Sequence, residues 1–368
     1  MITYCTNIHP GESFDDTFLN LQTHLLVVKE AVSHEVSFPI GLRLSNRAAL
    51  EIDKETSIRF RAWCQEHNCY IPTLNGFPYG SFHSSSIKEN VYLPDWRYPE
   101  RVSYTKKLAD LLDFWLPPAM TGSISTVPVG FKKHVSAKDD PLIRRNLIDI
   151  LEYLDSLYQK SGKEIILSFE PEPGCILETT EDIITFFERM RFPEELREIA
   201  GVCLDCCHQA VDFENPSESV TLLSGAHIKI GKVQVSSALR FEKDNHEVLE
   251  RFCEPCYLHQ VVIRRQDGTL SRYNDLPEAL TGHRRAPGEE WRIHFHVPIF
   301  VEKMESYGTT RFFIEEILPL LNRDILLEIE TYTWDVLPWE LQMKTVTQSI
   351  IREIEWLRSQ IDETNRRS

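Results

Sequence analysis

The stretch EIILSFEPEPG (Glu164–Gly174), continued at GVCLDCCHQAV (Gly201–Val211), decides the reading of the fold. Two apolar runs, Ile165–Phe169 and Val202–Leu204, each end in polar residues suited to metal or acid–base chemistry. Glu170 and Glu172 follow the first; Asp205 and His208 follow the second. Between them Thr180 and Asp182 open an amphipathic segment carrying Ile183, Ile184, Phe186 and Phe187, long enough for one crossover helix. Continuous apolar runs joined by such a helix are the mark of a parallel sheet covered on both faces. In parallel α/β folds, functional groups gather at the carboxyl ends of the strands.

The same rhythm extends in both directions. Strands are expected at Ile2–Ile8, Phe38–Leu44, Tyr70–Leu74, Gly122–Val129, Ile228–Val235 and Ile325–Thr331. Helical patterns lie between them: one after Ser13 and Asp16, one capped by Asp53 with Ile58, Trp63 and Cys64 turned inward, and Pro99–Leu116. Others run from Asp140 to Gly162, over Ser217–Leu223, over Thr310–Leu321 and from Pro338 to Ile361. Eight strands alternating with helices predict a (β/α)8 TIM barrel, read as one domain over 1–368. A doubly wound sheet would carry a glycine-rich turn after its first strand, where this chain has Asn7-Ile8-His9-Pro10. The rhythm breaks after the seventh strand. Residues 240–305 read as an insertion containing a β-hairpin at Val261–Tyr273 and a strand at Trp291–Phe300.

A formal net charge of -16 argues against nucleic acid or an anionic membrane as partner. No run reaches the roughly 20 apolar residues of a membrane span, and MITYCTNIHPGES lacks signal-peptide character. Nine cysteines without framework spacing suit a reducing cytoplasm, so a soluble cytoplasmic protein is expected. Cys203/Cys206 would fall on opposite strand faces, and Cys253/Cys256 have no partner pair; buried thiols are the simpler reading.

In a barrel the strand ends converge, bringing His9, Asn75, Glu170, Asp205, Gln234 and Glu330 to one mouth. Alternation puts Glu170 with Glu172 and Glu328 with Glu330 on common faces, Glu330 lying nearer the mouth. Carboxylates brought together repel unless a cation sits among them. The expected cofactor is therefore a divalent metal: manganese or magnesium for oxygen donors, zinc or cobalt as imidazoles join. Glu170, Asp205 and Glu330 are the expected metal ligands, with His296 as a candidate imidazole and Glu170, Glu330 and His208 as catalytic groups. His9, Asn75, Glu172, His208, His294, Tyr332 and Trp334 are expected to contact a small-molecule substrate. His294 and His296, at i and i+2, share a strand face; His246 and His259 are weaker candidates. Arg43, Lys132 and Lys133 at other strand ends could hold an anionic group, and Phe77 and Tyr79 could wall the mouth.

At these residues the chain resembles the xylose isomerase-like TIM-barrel superfamily of sugar isomerases and epimerases. In that superfamily acids on strands five, six and eight and a strand-seven ligand, commonly histidine, hold the metal. Glu170, Asp205 and Glu330 match three of these positions, His208 matches a substrate contact, and Gln234 stands at the fourth, so the resemblance implies it as a further metal ligand. More narrowly, TNIHPGE, LNGFPYG, EPEPGC, LDCCHQAV, YLHQVV, HFHVPIF and LEIETYTW resemble EboE, the barrel member of the Ebo metabolite-traffic set. That resemblance implies handling of a precursor of a secondary metabolite, alongside other proteins of the same pathway. Three functions are therefore expected as alternatives: a metal-dependent isomerase or epimerase, a non-catalytic carrier of a pathway intermediate, and a metal-dependent phosphodiesterase or phosphatase, which would need several metals and more histidines.

Overall fold

The protein is described from a computed structural model covering residues 1–83, 87–242, 246–342 and 344–367, the side chains at 246 and 367 excepted. The His246 candidate and residue 343 of the expected closing helix thus lie outside the described residues.

Seven strands come first: β1 (Ile2–Tyr4), β2 (Phe38–Arg43), β3 (Cys69–Asn75), β4 (Gly122–Thr126), β5 (Ile165–Phe169), β6 (Ala200–Asp205) and β7 (Lys229–Val235). Five short ones follow: β8 (Leu239–Phe241), β9 (Val261–Arg264), β10 (Leu270–Tyr273), β11 (Glu290–Ile293) and β12 (Gly308–Thr309). The last is β13 (Leu327–Ile329). Eight of them form one parallel sheet in the order β1-β13-β7-β6-β5-β4-β3-β2. The ring is nearly closed where β1 meets β2, by a bridge between Cys5 and Gly41. Side chains complete that seam: Thr3 Oγ1 donates to Pro39 O at 2.6 Å and accepts from Gly41 N at 3.1 Å, and Thr6 Oγ1 accepts from Arg43 N at 2.9 Å. The fold is the expected TIM barrel. β8 to β12 form a second, antiparallel sheet in the order β10-β9-β11-β8-β12, which contains the expected hairpin as β9 and β10.

Local chemistry explains the helices. Ser13 and Asp16 form a reciprocal cap, and Asp53 accepts from Thr56 N. Gly162, at φ 70, ends the helix Asp140–Ser161. Thr179, one residue earlier than expected, caps Thr180–Met190 with Asp182.

Several boundaries differ from the sequence reading. The first strand stops at Tyr4: Cys5 N makes a last bond across to Ile329 O, and Thr6–Ile8 then turns into a 3-10 helix with His9 N bonding back to Thr6 O. The fourth strand ends at Thr126. The strand expected at Trp291–Phe300 ends at Ile293: His294 N still meets Gln260 O in register, but Phe295 N turns back to Ile293 O and Val297 N reaches Ser237 O. The closing helix starts at Val346 rather than at Pro338, and Ile58 faces outward, 45% exposed.

The ring's interior is polar at mid-height, unlike the branched aliphatic layers usual in such barrels. Lys232 Nζ meets Glu328 at 2.5 Å with both side chains wholly buried, and Ser123 bonds Ser168 at 2.8 Å. Gly41 makes room for this layer: a Cβ there would lie 2.0 Å from Glu328 Oε1 and 2.6 Å from Tyr4 O. Gly41→Ala is therefore expected to destabilise by about 1–3 kcal/mol, as overpacking does. Urea unfolding measures this, and an unchanged midpoint would contradict it.

Glu353, on the closing helix, accepts from Ile299 N at 3.1 Å and Thr331 Oγ1 at 2.7 Å. Its burial pushes the carboxyl up to about 7. A folded-state value above the unfolded one gives a contribution that is complete at low pH and lost as pH rises through about 7. Glu353→Gln, neutral throughout, is expected to gain thermal stability relative to wild type between pH 5 and pH 8. An equal difference at both pH values would refute that origin.

Candidate active site

β5 and β6 end where the chain must leave the ladder, and there the acids begin. Glu170 directly follows Phe169, its N bonding to Thr126 O at 3.1 Å. Asp205 ends β6 and caps the short helix Cys206–Val211: its Oδ1 accepts from His208 N at 2.9 Å and from Ser236 Oγ at 2.8 Å. Glu330 directly follows β13. Its Oε1 collects Asn7 Nδ2 at 2.8 Å, Asn75 Nδ2 at 3.1 Å and Gln234 Nε2 at 3.3 Å. One carboxylate oxygen from each of Glu170, Asp205 and Glu330 lies within 4.8 Å of the others, and all three residues are buried.

The unused atoms are as telling as the used ones. Glu170 Oε2, Asp205 Oδ2 and Gln234 Oε1 are buried acceptors without a hydrogen-bond partner among the described residues. Buried acceptors are ordinarily satisfied, so three in one cluster call for a cation or protons. Proton affinity responds accordingly. Burial pushes Glu170 up to about 7, with Asp205 and Glu172 adding to the effect and Lys232 and His208 opposing it. Burial also drives Glu330 well above the carboxylate range, helped by Glu170 and Asp205. The donor set, three carboxylates and an amide oxygen, fits an oxygen-preferring divalent metal.

A second group adjoins the first. Glu172, raised by burial, is held by Tyr92 Oη at 2.7 Å and Gln260 Nε2 at 3.1 Å. His208 Nε2 and His294 Nε2 are 3.0 Å apart, and His294 Nε2 and His296 Nε2 are 3.2 Å apart. Burial opposes charge on His208, but Asp205, Glu172 and Glu170 outweigh it and raise its pKa. Burial, reinforced by neighbouring imidazoles, holds His294 well below the usual range. His296 is lowered to about 4, by burial first and His208 next, although Asp205 opposes the shift.

Glu170, Glu172, His208, His294 and Glu330 face a cavity that Asn7, Asn75, Phe77 and Tyr332 also line, while Asp205, Gln234 and His296 lie behind its wall. Phe82 and Tyr257 add aromatic walls. The segment after β3 roofs it: Lys88 Nζ bonds Tyr257 O at 2.6 Å and Asp275 at 2.7 Å, tying that loop to the insertion.

Of the residues picked from the sequence, Glu170, Asp205, Gln234, Glu330, Asn75, Glu172, His208, His294, His296 and Tyr332 are brought into this region. His9 is not among the cavity's lining residues: it bonds Tyr4 Oη at 3.1 Å and stacks on His24 at 4.5 Å. Trp334 does not line it either, sitting in a 3-10 turn beyond Tyr332. Arg43 is taken by Gly11 O and Glu12, Lys132 by Glu178, and Lys133 by Glu89, so none of these cations faces the cavity. Asn7, Tyr92, Ser236 and Gln260 were missed, although each orients an acid or a histidine. Only proximity hinted at two of them: Asn7 precedes His9, and Gln260 follows His259.

No family model matches the chain, and no curated protein matches it. Solved structures do resemble it. A xylose isomerase-like TIM-barrel protein from Mycobacterium smegmatis in complex with magnesium is 11% identical over 99% of this chain and 97% of its own, with a TM-score of 0.56. An L-ribulose 3-epimerase is 10% identical over 100% and 96%, at 0.53. The IOLI protein with a bound zinc is 13% identical over 99% and 98%, at 0.50. At these identities the likeness carries the fold. No helix among the described residues is long and apolar enough to cross a membrane.

The carboxylate cluster is expected to take up one equivalent of divalent metal, read by elemental analysis after dialysis. Glu170→Gln and Asp205→Asn should each lower affinity at least tenfold; uptake unchanged in both would refute the assignment.

Proposed function

We propose that this protein is a metal-dependent isomerase or epimerase acting on a polyol or hydroxycarbonyl compound. The observation that carries the reading is the meeting of Glu170, Asp205 and Glu330 within 4.8 Å, with buried oxygens left unbonded. A divalent metal held by these three and Gln234 would polarise adjacent substrate oxygens and acidify the neighbouring carbon. Glu170 and Glu330 come from strands separated in the ring by β6 and β7. They can therefore approach a bound carbon from different sides, one removing a proton and the other returning it. Asn7 and Asn75 fix Glu330, while Tyr92 and Gln260 fix Glu172 for contact with a hydroxyl. His208 lines the same wall beside Glu172. Phe77, Phe82, Tyr257 and Tyr332 offer faces for the apolar side of a sugar or of a prenyl- or indole-derived compound. The resemblance to EboE favours a precursor of a secondary metabolite as substrate, the protein working beside others of that pathway.

The test is solvent exchange. Protein loaded with manganese, magnesium, zinc or cobalt is incubated in D2O with a panel of five- and six-carbon ketoses and hydroxycarbonyl compounds. NMR should show metal-dependent deuterium incorporation next to the carbonyl. Glu170→Gln and Glu330→Gln should each slow it by about 10²–10⁴-fold. Tight binding of a panel compound to metal-stripped protein, without exchange under any metal, would favour the carrier instead.

A further inference from the structure

His208, on the helix after β6, and His294 and His296, on the irregular run after β11, come from the barrel and from the inserted region respectively. All three are buried, and each has its Nδ1 against an atom that can only accept a hydrogen bond. His208 Nδ1 faces Pro171 O at 2.7 Å, and His296 Nδ1 faces Glu330 O at 2.8 Å. His294 Nδ1 faces Gln260 Oε1 at 2.7 Å. The orientation of that amide is fixed independently: its Nε2 sits 2.9 Å from Pro173 O and 3.1 Å from Glu172 Oε1, contacts that an oxygen there could not make. Each neutral ring therefore keeps its one proton on Nδ1 and turns a bare Nε2 lone pair inward.

Those lone pairs point at one another, at 3.0 Å for His208–His294 and 3.2 Å for His294–His296. Three neutral rings cannot resolve the clash: it takes either an extra proton on His294 Nε2, shared by both neighbours, or a cation. A proton on His208 Nε2 would satisfy the first contact and leave the second facing lone pair to lone pair. The Tyr332 hydroxyl lies 3.4 Å from His294 Nε2, too far for a strong bond. A cation beside His294 Nε2 replaces that repulsion with attraction. Tetrahedral zinc with Zn–N of about 2.0–2.1 Å spaces its nitrogens about 3.3–3.4 Å apart. A carbonyl or amide oxygen behind each Nδ1–H is the usual outer support of a metal-bound imidazole.

We propose that His294, with His208 and Glu172 on one side and His296 and Cys207 on the other, each trio within 4.8 Å, forms a second divalent-metal site, selective for a zinc-like ion, beside the carboxylate site. Asp205 stands between the two: its carboxylate belongs to the cluster with Glu170 and Glu330, and it also lies within 4.8 Å of His208 and His296 nitrogens. The inserted region supplies two of the three imidazoles, which gives it a role at the barrel mouth. This site goes beyond the proposed reaction and stands whether or not the carboxylate site catalyses proton transfer.

Zinc alone, titrated into the metal-stripped full chain, tests it. Wild type should bind two equivalents, and X-ray absorption should report imidazole scattering with Zn–N near 2.0–2.1 Å. His294→Asn and His296→Asn should each lose one equivalent together with most of the imidazole signal, while circular dichroism remains native. Glu170→Gln should keep the imidazole signal, which separates failure here from failure of the isomerase reading. Where a variant does not fold, the wild-type spectrum decides alone. Zinc surrounded by oxygen donors only, or an imidazole signal unchanged in both folded histidine variants, would overturn the proposal.

Discussion

Buried like charge is the constraint around which this molecule is arranged. Parallel strands closed into a ring carry their carboxyl ends to one side, so any acid placed just beyond a strand is delivered to a common point. Here Glu170, Asp205 and Glu330 arrive there with little solvent to screen them. In a medium of low effective dielectric such a set holds together only with protons or a cation. Much of the surrounding polar structure manages that charge. Asn7, Asn75 and Gln234 converge on one oxygen of Glu330, while Ser236 and the His208 amide occupy one oxygen of Asp205.

The same tension runs down into the barrel. Lys232 and Glu328 form a wholly buried ion pair beneath the mouth. Breaking such a pair from one side typically costs about 3–5 kcal/mol, although a well-packed apolar pair could replace both. Lys232 also lowers the proton affinity of Glu170 and of Glu330 from below. The polar interior therefore contributes little net stability by itself. It sets the electrostatics of the mouth, and the glycine at 41 is what its volume demands. Above the mouth, the inserted region and the loop after β3 close over the acids through Lys88, Tyr257 and Asp275.

The barrel was legible in the chain because each buried parallel strand is a short apolar run followed by a polar break. β5 begins and ends where its run does. The acids were legible for the same reason, since Glu170, Asp205 and Glu330 each sit at a strand's end. What the pattern could not reveal depends on contacts distant in sequence. His9 has the position of a mouth residue, yet Tyr4 and His24 claim its ring. Trp334 follows a strand but turns aside in a 3-10 segment. Gln260 looks like an ordinary polar residue ahead of the hairpin, and only its bonds to Glu172 and His294 show that it orients both. The irregular backbone at His294 to Val297 was hidden because β-branched and aromatic residues there imitate a strand.

The most direct test of the account is anomalous diffraction from crystals grown with manganese, with data collected on either side of the metal absorption edge. The account predicts a peak bounded by carboxylate oxygens of Glu170, Asp205 and Glu330. A fully ordered mouth with no peak at that position, its carboxyl groups bonded to one another through shared protons, would contradict it.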